Sequence, residues 1–219
     1  AKMLWRGLGV ALGVAIALLA LQLPFLKLAT LVTHASAEVT SLAQDYFLVR
    51  IWAAPATLSL QVFSGWFVGE QDSISSMWKD LVVNGVNIAA SIVLSKRIGF
   101  NGIALGTVIA QYCGLLFCIA VAALKYRRLL SSFPLSELKH AFTRDELLPY
   151  LKMNGNLFVR SLCFMVIYLG YTLIAARLGD QLLACSSVMM QLLMLFSYFT
   201  DGFAYAGEAL TGRFIGAGD

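Results

Sequence analysis

Inside the long apolar stretches of this 219-residue chain, amides and hydroxyls recur at helical intervals. Asp80, Asn84, Asn87, Ser91 and Ser95 stand at offsets 0, 4, 7, 11 and 15, which places them on one face of a helix. Arg50, Thr57, Gln61 and Ser64, at offsets 0, 7, 11 and 14, line a second face. Thr107, Gln111, Gly114 and Cys118 line a third, and Ser187, Gln191, Met194, Tyr198, Asp201 and Tyr205 a fourth. Polar groups of this kind in hydrocarbon need a partner or a water-filled cavity. Catalysis would need a nucleophile beside a base, or a metal cluster. The two histidines, His34 and His140, fall in opposite loops and no HExxH is present, so an enzyme is excluded. Cys113, Cys118, Cys163 and Cys185 all lie in apolar runs, where they read as small buried hydrophobes and offer no disulfide frame or metal site.

An unpaired amide in an apolar medium costs several kcal/mol. Asn84 and Asn87 therefore either bond neighbouring helices or face water, and the stripes describe either interhelical glue or a wet cleft. Stripes on several helices with apolar backs favour the cleft, which means a transporter or a channel.

The elements that must carry these stripes follow from composition. With 59% of residues hydrophobic, 13% charged and a mean hydropathy of +0.78, the chain is not an ordinary soluble domain. Its net charge of +4 does not imply nucleic acid, because the cations lie between apolar runs and not on one exposed face. Six segments reach the length of about 20 apolar residues that crosses a bilayer, at roughly 4 to 27, 46 to 69, 73 to 95, 101 to 125, 154 to 178 and 182 to 205. The first reads as a span and not as a signal peptide. The chain reads as a piece of a longer protein, with both ends on one side of the membrane. That side would carry Lys2, Arg6, Lys79, Lys125, Arg127, Arg128, Lys139, Arg144, Lys152 and Arg213, and its excess of cations marks it as cytosolic. Arg50 and Arg160 lie inside spans near their ends, within snorkelling reach of an interface.

Local signals refine the elements. Pro55 has no N–H for the carbonyl of Ile51, so the second span should bend there. Gly65 with Gly69, and Gly102 with Gly106, form GxxxG steps that permit close helix approach. The connection at 126 to 153 holds Thr143 three residues before Glu146, a capping box that predicts a short amphipathic helix in a cytosolic linker. Asp201 falls toward the cytosolic end of the last span.

The order of these features resembles a known family. YFLVRIWAAPATLSLQVFSGWFVGEQDS, LVVNGVNIAASIVL and GFNGIALGTVIAQ look like helices four to six of the multidrug and toxic compound extrusion (MATE) transporters. ARLGDQLLACSSVMMQ and YFTDGFAYAGEALTGRFIGAGD resemble helices seven and eight in the DinF-like branch. The resemblance implies an all-α polytopic membrane protein, a two-lobe helix bundle of which this chain is a six-span part. Residues 1–125 would belong to the amino lobe, 126–153 to the inter-lobe linker and 154–219 to the carboxy lobe. It further implies alternating access, export of drug-like organic compounds against Na⁺ or H⁺, no other cofactor, and a monomer in a bacterial inner membrane completed by the rest of a twelve-helix chain. Some members pair an Asn with an Asp four positions later and with a Thr on the next helix. Asn87 and Thr107 match that Asn and Thr, but Ser91 stands at the Asp position, and a serine carries neither proton nor charge. The expected transport residues are Asn84, Asn87, Gln61, Thr107 and Gln111 in the amino lobe and Gln191 and Asp201 in the carboxy lobe, with Pro55 as a bend. A lipid-linked oligosaccharide flippase of the same superfamily is the nearest alternative, and a passive channel or structural membrane subunit a third.

Overall fold

A computed structural model describes residues 2–32, 37–131, 143–177 and 179–217, and among them every regular element is helical. In chain order these are α1 (Lys2–Ala20), α2 (Gln22–Val32), α3 (Ala37–Arg50), a 3₁₀ turn (Ile51–Ala53), α4 (Ala54–Gly69), α5 (Ser73–Ile98), α6 (Phe100–Lys125), α7 (Arg127–Ser131), α8 (Arg144–Arg177) and α9 (Asp180–Ala217). His34 and His140 lie outside the described residues. The chain divides into two compact units, Ala1–Leu138 and Lys139–Asp219. Lys2–Ala20, Thr40–Gly69, Ser73–Ile98 and Phe100–Lys125 are long and apolar enough to cross a membrane, matching the first four expected spans. The fifth expected span, 154 to 178, falls in α8 up to its end at Arg177, and the sixth lies within α9; these helices have 34 and 38 residues.

Proline chemistry sets the interruptions. Pro24 cannot donate to the carbonyl of Ala20, and α1 gives way to α2 at Leu21. Pro55 likewise leaves the carbonyl of Ile51 without its usual donor. The amide of Ala54 bonds to that oxygen instead, one residue early, which is what makes residues 51–53 a 3₁₀ turn. This turn lies just before the proline, within the segment Thr40–Gly69. The Tyr112 hydroxyl on α6 donates to the carbonyl of Trp52 at 3.0 Å and fastens this turn from outside.

Side-chain volume decides how the first unit packs. On α6, Gly102, Gly106, Ala110, Gly114, Cys118 and Ala122 recur every fourth residue and all are buried. Four residues overshoot one helical turn by about 40°, so this small stripe winds around α6. It begins against α5: a Cβ at Gly106 would lie 2.7 Å from the Ser91 amide nitrogen, and one at Gly102 would run into the Leu94 carbonyl. It ends against α1 and α4, where Leu4, Leu60, Phe63, Trp66, Phe67, Cys118 and Ala122 form the apolar core. Gly99, at φ +66°, makes the sharp turn between α5 and α6 that only glycine adopts freely. The expected close approach at Gly65 and Gly69 is not seen, for nothing among the described residues lies within 4 Å of a Cβ at either.

The connection between the units differs from the expected free-standing helix. Arg127–Ser131 forms one short helix, and residues 132–142 lie outside the described residues. Thr143 directly precedes α8, the position assigned to the cap, but α8 then runs from Arg144 without a break past Pro149 into the expected span. The amphipathic segment and the fifth span are thus one helix.

Candidate functional site

In the first unit, the polar face of α5 divides between its neighbours. Asn87 and Ser91 are half-buried, and the Ser91 hydroxyl donates to Asn87 Oδ1 at 3.1 Å. Ser91 abuts Gly106, so this pair occupies the α5–α6 seam. Thr107, next to that glycine, is half-buried, and its hydroxyl donates to the Ile103 carbonyl of its own helix at 3.0 Å. Gln111 is also half-buried, whereas Asn84 and Gln61 are exposed. Among the described residues no side-chain hydrogen bond joins Gln61, Asn84, Thr107 or Gln111 to one another. Gly114 and Cys118, placed on the same polar line by sequence, instead pack into the apolar core: a Cβ on Gly114 would collide with Val83, and Cys118 is fully buried. Their small volume, not their polarity, fixes that position. Cys118 is thus the small buried hydrophobe expected, whereas Cys113 is half-buried and Cys163 and Cys185 are exposed.

Two cations counted as loop charges are buried. Arg6 and Lys79 are 3% and 7% exposed. The Lys79 ammonium donates to the Ser64 hydroxyl on α4 and pairs with the exposed Asp80 carboxylate at 2.9 Å. A buried ammonium is tolerated only when paired, and these two groups supply the partners. The Lys79–Ser64 bond thus uses one member of the α4 polar line, while the Thr57 hydroxyl on the same line is buried without a partner.

A dense polar cluster lies at the α4–α5 turn. Asp72 caps α5, its Oδ1 accepting from the Ser75 amide at 3.3 Å. Its Oδ2 accepts from the Ser75 hydroxyl at 2.5 Å, the Lys125 ammonium at 2.7 Å and the Tyr126 hydroxyl at 2.8 Å. Burial alone would raise the pKa of this carboxyl, but the bonds from Lys125, Ser75 and Tyr126 outweigh it and hold the group at about 2. Burial, and then the carboxylate it faces, push the Tyr126 phenol up. Sequence reading passed over this cluster. Its one local signal is Asp72 followed by Ser75, a cap with a second donor in the first turn, while Lys125 and Tyr126 stand more than fifty residues away.

The second unit holds a cleft of about 290 Å³ between α8 and α9. Tyr168, Tyr171, Met190, Met194, Gln191 and Thr172 are among its lining residues, and the Tyr168 hydroxyl lies 3.5 Å from the Met194 sulfur. Gln191 is one of the lining residues. Asp201 is exposed and is not among the residues of that cleft. The Arg160 guanidinium lies 5.7 Å from the Phe164 ring centroid. Among the described residues no group of His, Cys, Asp and Glu is placed to hold a metal ion.

The MatE family model matches residues 1–93. Over 222 aligned residues covering all of this chain, it is 32% identical to the DNA damage-inducible protein F of Escherichia coli (strain K12), of which it spans 48%. It is 27% identical over 206 residues to Protein DETOXIFICATION 43 of Arabidopsis thaliana, covering 93% of this chain and 37% of that protein. Protein DETOXIFICATION 45, chloroplastic, from the same plant is 27% identical over 205 residues, with 93% and 35% covered. The chain spans about half the length of the first of these relatives and about a third of the plant ones. No solved structure matches it. The helices of membrane-crossing length and the agreement along the chain lead to one conclusion: this is an all-α, multi-pass membrane protein, similar along its length to these relatives and matched by the MatE family model over residues 1–93.

Proposed function

We propose that the chain is part of a cation- or proton-coupled antiporter that exports drug-like organic compounds from a bacterial cell across its inner membrane by alternating access. The observation that carries this reading is the cleft in the second unit. Two tyrosine rings and two methionine thioethers present polarizable apolar surface, and Gln191, Thr172 and the tyrosine hydroxyls supply a few oriented polar groups. Such a lining suits an amphipathic organic cation, which gains ring–cation attraction and apolar contact together. An acidic or strongly anionic substrate would find no lysine or arginine among those residues.

Coupling requires an ion or proton to bind the two access states unequally. Asn87, Ser91 and Thr107 offer neutral oxygens along the α5–α6 seam, and with Ser91 at its position no carboxylate comes from that turn. In this reading Asn87 contributes oxygen to a coupling site whose charge comes from another element, and Gln191 orients substrate. Efflux from everted vesicles carrying the full-length protein tests both. Gln191→Ala should raise the half-saturation concentration about threefold to thirtyfold, the worth of one or two hydrogen bonds. Asn87→Ala should weaken the ion dependence. Unaltered efflux and ion dependence in both variants would remove these roles.

A further inference from the structure

Tyr126 is the single residue between α6 and α7, near the carboxy-terminal end of the first unit. Tyr126 has left α-helical geometry, at φ −109° and ψ 19°, yet hydrogen bonds continue across it: its amide donates to the Ala122 carbonyl at 3.2 Å and its carbonyl accepts from Leu130 at 3.0 Å. It is a joint between two helices. The joint is held from the side, because its hydroxyl reaches Asp72 and its ring sits edge-on to Trp66 at 4.7 Å. Its neighbour Lys125 donates to the same carboxylate oxygen. Asp72 belongs to the α4–α5 turn, which is itself tightly set: Gln71 takes a left-handed φ of +59°, and the Asp72 amide donates to the Phe67 carbonyl at 2.8 Å.

We infer that Asp72 is a positioning residue for transport: it fastens the α6–α7 joint at Lys125 and Tyr126 to the α4–α5 turn, so that force arriving along the linker moves the first unit as one body. This rests on the exporter reading above, in which two units change their relation during each cycle. Without the fastening, the last turn of α6 would fray and absorb the displacement. A helix end has only a few intrahelical bonds to resist such a pull, whereas a buried carboxylate with three side-chain donors ties three segments together.

The cap and the fastening can be separated experimentally. Asparagine caps a helix about as well as aspartate, so Asp72→Asn keeps the start of α5 while removing the charge that holds Lys125. Lys125→Met and Tyr126→Phe approach the same contact from the other side, the latter preserving the ring against Trp66. In the full-length protein, amide hydrogen exchange across residues 122–130 should quicken about threefold to tenfold in each variant, with the first turn of α5 unchanged. In proteoliposomes the maximal transport rate should fall while the half-saturation constant stays the same. Exchange at 122–130 that matches the unmodified protein in all three variants would overturn the fastening. Faster exchange with an unaltered maximal rate would overturn the positioning role, leaving a structural contact only. An unmodified protein that exports nothing would sink the exporter reading, and the exchange comparison alone would then decide the fastening.

Discussion

Replacing Gly106 by alanine tests the central packing claim, that the first unit depends on backbone contact between α5 and α6. A Cβ at residue 106 would stand 2.7 Å from the Ser91 amide nitrogen, 2.8 Å from its hydroxyl and 2.9 Å from its Cα. Two of those three atoms are backbone, so no rotamer change clears the space and the helices must separate. Overpacking of this kind costs about 1–3 kcal/mol, against which alanine returns up to about 1 kcal/mol in helix propensity. The net expectation is a loss of about 1–2 kcal/mol. Gly102→Ala should lose more, because there the obstacle is the Leu94 carbonyl and the Ser95 amide. Gly85→Ala, on α5 with nothing within 4 Å of the added methyl, is the matched control and should be neutral or slightly stabilising. Thermal unfolding of the detergent-purified protein, followed by tryptophan fluorescence, reads the difference. If Gly106→Ala and Gly85→Ala melt together, the seam is not a backbone contact and the account of α6 fails.

Two further outcomes follow from the same unit. Phe67 is fully buried between α1, α4 and α6, so Phe67→Ala should destabilise by about 3–5 kcal/mol, visible as loss of folded protein on size-exclusion chromatography. The Asp72 carboxyl, held at about 2 from an ordinary 3.8, contributes on the order of 2 kcal/mol that is complete above the ordinary value and drains away as pH falls toward the lowered one. The stability gap between the unmodified protein and Asp72→Asn should thus be flat from neutral pH to about 5 and close between about 4 and 2. A gap that persists at the acid end would show that the difference does not come from this ionisation.

Much of the architecture was legible because a bilayer imposes a one-dimensional rule. A run of apolar residues long enough to cross must be helical, and four of the expected spans coincide with helices of crossing length. Pro55 announced its irregularity for an equally local reason, a missing N–H. The GxxxG step at Gly102 and Gly106 meets the backbone of α5 and the identical step at Gly65 and Gly69 meets no neighbouring helix among the described residues, since a pattern of small residues permits close approach without saying whether a partner comes. The same limit explains Gly114 and Cys118. They lie on the polar line with Gln111, but the winding of the small stripe carries them into the apolar core.

The sequence by itself determined which apolar segments are helices and that the chain departs from regular α-helix beside Pro55, because those properties depend on residues within a turn or two of one another. Tertiary structure alone decided what each polar group meets. Lys79 reads as a loop charge until α4 brings Ser64 beside it, and Asp72 stands out only once α6 returns Lys125 and Tyr126 to its second oxygen. Hydrogen bonds and ion pairs act over a few ångströms, so their partners are set by how helices pack and not by distance along the chain.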